Sequence, residues 1–208
     1  MYYFAKLYEI ITGLELDLAE GHLIRRDNGQ VVALQHPEFL LTFIPVFYDM
    51  YKKNLDLFIR NKADDRINPR WWFYFDAISR YNDEDNDQFR RIIELGVRVH
   101  IQGDMATALV LAYRRFSLEN PGVPFDALEN DFFKTNRAVF DQVLKDFGDH
   151  LANIKKPLEL IPWEEANRTL LYFGGTPVGA WLTRSVIIDD VFRWREVQWK
   201  MAKDALAQ

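Results

Sequence analysis

Residues 86–116, NDQFRRIIELGVRVHIQGDMATALVLAYRRF, form the longest helical pattern in the chain and decide its fold class. At about 100° per residue, Arg91, Glu94, Arg98 and Gln102 gather on one side as a wet stripe. Opposite lie Phe89, Ile93, Gly96, Val97, His100, Asp104, Thr107 and Leu111, an apolar face interrupted by three polar side chains. The acidic run NDEDND (82–87) leads into this segment and ENPG follows it, marking a helix start and stop. A helix this long with one apolar face needs other helices to cover it.

The flanking sequence supplies them. Upstream, WWFYFDAI predicts a helix after the polar loop NKADDRINP. Before that loop, Phe39, Leu40, Phe43, Phe47, Met50, Tyr51, Leu55 and Phe58 recur at spacings of three and four. They predict a helix opened by Pro37 and kinked at Pro45. Asp27, Asn28 and Gly29 suit a tight turn, so residues 22–34 are expected to form a small β-hairpin after a short helical start. Downstream, a helix is expected over 125–154, with Leu128, Phe132, Val139, Val143 and Phe147 on one stripe. Two more are expected over 163–173 and 178–206, separated by the breaker Gly174, Gly175, Thr176, Pro177. Six or seven helices with no repeat and no long linker imply an all-α fold. It is a compact multi-helix bundle or orthogonal array, in one domain spanning 1–208.

Composition narrows the function classes. An apolar fraction of 49% in 208 residues is ample for a core. The net charge of -5 and pI of about 5.4 give no support to a nucleic-acid partner, which needs clustered cations. The absence of cysteine excludes disulfides, thiolate metal sites and cysteine nucleophiles. Glu9 and Glu15 interrupt the first apolar residues before a signal peptide could form, and no run reaches the roughly 18 apolar residues of a membrane span. The expected compartment is a reducing cytoplasm; oligomeric state is not legible.

His100 and Asp104, four apart, share one helical face and aim an imidazole and a carboxylate at a common region, with Gly96 and Gly103 bordering them. Such a pair can hold a divalent metal such as zinc, act in general acid-base chemistry, or form a buried hydrogen bond that fixes packing. Zinc requires three or four ligands. Candidates to complete a metal site are Asp76, within the WFYFDAI stretch, and Asp131, beside the 125–154 stripe; either could instead pair with Arg193 or Arg195. Asn136, on that stripe, and Thr107 are candidate catalytic or hydrogen-bonding partners. His22 and His36 fall in or beside the hairpin, where a solvated role is expected, and His150 falls near a helix end.

The stretch LGVRVHIQGDMATALV (95–110) resembles the signature of bacterial domain of unknown function family 5995, in which Asn-Ala-His-Ile is followed by two variable residues and Asp-Leu. His100, Ile101 and Asp104 match, with Val99 for the usual alanine and Met105 for the usual leucine. The likeness in element order spans roughly 37–205. It implies an all-helical fold and importance for His100 and Asp104, but no reaction. HIQGD is also similar to the His-Phe-x-Gly-Asp segment of the helical zinc phospholipase C and nuclease group. That group's further histidines are replaced here by the run Ala106, Thr107, Ala108, Leu109 and Val110, and its N-terminal Trp ligand is absent. The sequence thus leaves two functions open. One is a metal-associated hydrolase or small-molecule-binding protein using His100 and Asp104. The other is a non-catalytic interaction domain in which the pair is a packing lock.

Overall fold

A computed structural model describes residues 2–22, 24–25, 31–80, 86–135, 139, 142–143, 146 and 189–208. Helix α1 (Tyr2–Ala19) buries Phe4, Leu7, Tyr8, Glu15, Leu18 and Ala19, the spacings of one helical face. It ends at Gly21, whose φ of 84° is the left-handed conformation that lets the last carbonyls be capped. Gly21 N–H donates to Leu18 at 3.2 Å and His22 N–H to Asp17 at 2.8 Å. The expected hairpin is present as two short strands, β1 (Ile24–Arg25) and β2 (Val31–Val32), antiparallel with Ile24 opposite Val32.

Helix α2 (Pro37–Arg60) runs through Pro45 without interruption. Pro45 cannot bond to the carbonyl of Leu41, but both residues are exposed, so water can serve that carbonyl. The loop after it leads into α3 (Pro69–Ser79). Asn68 starts this helix: its side chain accepts from Arg70 N–H at 3.0 Å, while its own N–H donates to Asn54 Oδ1 at 2.8 Å. Helix α4 (Asn86–Glu119) is the central element, packed most extensively on α2 and on the last helix, α5 (Asp189–Leu206). The all-α architecture expected from the sequence is therefore observed.

Two expectations are corrected. The segment after α4 starts as a 3-10 turn (Phe125–Leu128) and becomes α-helical at 129–135, in place of one helix from Phe125. Leu128, Phe132, Val139 and Val143 are buried as the stripe implies. Phe147, Asn136, His150, the helix expected at 163–173 and the Gly174–Pro177 breaker lie outside the described residues. The inward face of α4 also drifts. Beyond His100 it follows Ile101, Met105, Ala108, Ala112 and Phe116, which pack into the main core, while Thr107 and Leu111 are exposed. Thr107 is thus no partner for His100 or Asp104. A 34-residue helix meets different neighbours along its length, so one straight stripe cannot describe it.

Gly96 marks the closest approach on α4. A Cβ there would lie 2.6 Å from Phe4 Cδ2 and 3.0 Å from Tyr74 Cε2, whereas one on Gly103 would meet nothing closer than Arg70 Cδ at 3.7 Å. Gly96→Ala is therefore expected to destabilise by about 1–2 kcal/mol, overpacking outweighing the gain in helix propensity. Gly103→Ala should be neutral or stabilising by up to about 1 kcal/mol. Urea denaturation of the two variants measures both, and equal effects would show that α1 does not press on Gly96.

Candidate functional site

His100 and Asp104 are both enclosed, at 4% and 1% exposure. They do not hydrogen-bond to each other: His100 Nδ1 stands 3.8 Å from Asp104 Oδ2. Asp104 Oδ2 instead accepts from Trp71 Nε1 at 2.6 Å, a buried bond from α3 to α4. Arg70, one residue earlier, reinforces this contact by donating to the Gln102 backbone carbonyl. The packing of α3 on α4 is thus fixed by two adjacent donors, one aimed at a side chain and one at the backbone.

The imidazole is held by rings. Phe47 of α2 stacks on it with centroids 3.6 Å apart and planes 14° apart, and Tyr8 of α1 meets it edge-on at 4.6 Å. Trp71 at 5.7 Å and Phe4 at 6.0 Å are further ring neighbours. Neither ring nitrogen has a hydrogen-bond partner among the described residues. Burial pushes the His100 pKa below the usual imidazole range, Asp104 opposes this, and the charge of Arg195 adds to the lowering. His100 is therefore neutral at neutral pH.

A second buried polar group lies beside the first and unites α1 with α5. Arg195 and Glu15, 4% and 6% exposed, approach at 3.7 Å between Nη1 and Oε1, an ion pair without a hydrogen bond. The guanidinium lies over the ring of Phe132, 4.3 Å from its centroid, and its Nε and Nη2 have no partner among the described residues. Burial raises the Glu15 pKa and lowers that of Arg195, each offset by the other's charge. Tyr8 links the two groups: burial drives its phenol far above the usual range, and the charges of Glu15 and then Asp104 push it further. Described side chains from α1, α2, α3, α4 and α5 thus pack around these buried polar groups.

The other candidates fall elsewhere. Asp76 pairs with Arg80 at 2.7 Å on the surface of α3. Asp131 is buried, but its Oδ2 accepts from the backbone N–H groups of Gln35 and His36, each at 2.7 Å, with Lys134 Nζ 3.8 Å from Oδ1. It anchors the start of α2, where His36 provides no side-chain cap. Neither carboxylate pairs with Arg193 or Arg195; those cations face Asp190 and Glu15. His22 is exposed beside Asp17 at 3.4 Å, and with Glu20 these form the only cluster of three potential ligand groups within 4.8 Å of one another among the described residues.

The sequence did not single out Trp71, Tyr8 or Glu15 for this site, and it offered Arg195 only as an ion-pair partner for Asp76 or Asp131. Periodicity carried a signal for two of them. Glu15 stands four residues after Ile11 and three before Leu18 on the buried face of α1, and Arg195 stands between Val191 and Trp199 on that of α5.

No family model matches the chain, and neither a curated protein nor a solved structure matches it. Among the described residues, no helix is long and apolar enough to cross a membrane.

Proposed function

We propose that this chain is a helical small-molecule-binding protein whose ligand meets His100 in the interior between α1, α2 and α4. One observation carries the reading: among the described residues neither nitrogen of the buried imidazole has a partner, while the neighbouring carboxylate is already served by Trp71. A packing lock needs its hydrogen bonds made, because an unpaired buried polar group costs about 1–3 kcal/mol. Asp104 with Trp71 meets that description and His100 does not. An imidazole kept at such a cost is better accounted for by a task in binding or proton transfer. The likeness of residues 95–110 to the family of unknown function points to the same two side chains. A divalent metal such as zinc would find two donors here, and no third carboxylate or histidine joins them among the described residues.

His100→Leu keeps the apolar volume and removes the unpaired nitrogens. The variant is expected to be as stable as wild type, or more stable by up to about 1 kcal/mol, in urea denaturation at pH 7.5. Its response to acid should differ too. A histidine held neutral in the fold contributes stability that is complete above its unfolded pKa and is lost as pH falls below about 6.5. Glu15 acts in the opposite sense above its own unfolded pKa, so the wild-type minus variant difference isolates His100. A small-molecule library read by thermal shift should contain compounds that raise the wild-type midpoint and leave the variant unmoved. A loss of about 2 kcal/mol or more in His100→Leu, with no compound response, would favour the interaction domain with a structural lock.

A further inference from the structure

The geometry points to a small carboxylate, carried on an apolar body, as the ligand of this interior, docked side-on against Arg195. The inference rests on the small-molecule reading above and adds the chemical class. In a guanidinium, Nε and Nη2 share one edge, the edge that receives the two oxygens of a carboxylate in a bidentate pair. These are the two Arg195 nitrogens that are buried and have no partner among the described residues, while Nη1 is the one turned toward Glu15. Trp199, four residues further along α5 and on the same face, also carries a buried N–H at Nε1 with no partner among the described residues. Both residues bear on one ring: Arg195 lies 4.3 Å above Phe132, and Trp199 stacks on it with centroids 4.9 Å apart. Each of the three groups is a donor only, so an acceptor such as a carboxylate oxygen can satisfy it and an ammonium cannot. Phe125, stacked on Trp199 at 4.1 Å, extends the apolar wall that a hydrocarbon or aromatic tail would meet. Glu15, at 3.7 Å and without a hydrogen bond, neutralises the guanidinium only loosely, leaving the bidentate edge for a second carboxylate.

The test compares acetate, butyrate and benzoate with acetamide, butyramide and benzamide on the full chain. Binding is read by thermal shift and by calorimetry at matched ionic strength in chloride. Butyrate or benzoate should bind saturably and raise the midpoint, and their amides should bind at least tenfold more weakly. Arg195→Lys, which keeps the charge but loses the fork, should weaken carboxylate binding at least tenfold while retaining a cooperative transition. Should Arg195→Lys unfold, Trp199→Phe provides the second variant, with carboxylate binding weakened severalfold. Equal binding of acids and amides, or an undiminished response in a folded Arg195→Lys, would overturn the inference. Neutral compounds whose effect disappears in His100→Leu, with no response to carboxylates, would overturn it and leave the small-molecule reading standing. Silence from both classes would remove both.

Discussion

Trp71→Phe should lower stability by about 3 kcal/mol, a fall in Tm of roughly 6–12 °C for a chain of this size. Part of the loss is ordinary packing, because Trp71 is fully buried in the aromatic cluster of Tyr51, Tyr74 and Phe75. The larger part is chemical. Removing the indole N–H strips Asp104 Oδ2 of its donor at 1% exposure, where no water can take over. Asp104→Leu in the same background removes the stranded oxygen, so the double variant should be more stable than Trp71→Phe alone. A double-mutant cycle in urea reads the coupling directly. A cost below about 1 kcal/mol for Trp71→Phe would mean that this bond does not set how α3 packs on α4.

The second large effect is an asymmetry. Glu15→Leu leaves the Arg195 guanidinium buried without a counter-ion and is expected to cost about 4 kcal/mol. Arg195→Met should cost less, about 1–2 kcal/mol, although it breaks the same pair. The carboxyl can take up a proton, and burial already raises its pKa, whereas a guanidinium cannot give one up. Arg195→Met should accordingly lose stability as pH rises, since an acid whose folded pKa is raised is destabilised as it ionises. Glu15→Leu with Arg195→Met should recover most of the loss, because an apolar pair of similar volume carries no desolvation penalty. Equal costs for the two single variants would sink the argument that Glu15 escapes by protonation.

How far the sequence could be read depended on whether an interaction is local. His100 and Asp104 were legible as inward-facing because four residues on a helix return to the same side, and each is buried. Capping and strand pairing were legible for the same reason: the short apolar segments on either side of residues 26–30 placed the two strands, and Asn-Pro placed the start of α3. Thr107 was misplaced because that logic assumes one straight face, while α4 turns its apolar side from α1 and α3 toward α5 along its length. The partner of Asp104 was beyond periodicity altogether. It stands 33 residues away, and only the register of α3 against α4 decides that Trp71 faces it. Asp131 shows the same limit: its position on a buried stripe was visible, but its partners lie 95 and 96 residues upstream.

That last contact bears on how the chain is put together during synthesis. Gln35 and His36, the two residues that enter α2, present backbone N–H groups whose acceptor is translated nearly a hundred residues later. At ribosomal speeds of about 5–20 residues per second, the entry to α2 waits about 5–20 s for Asp131. A fragment stopping before residue 131 would therefore enter α2 with the Gln35 and His36 N–H groups left to water.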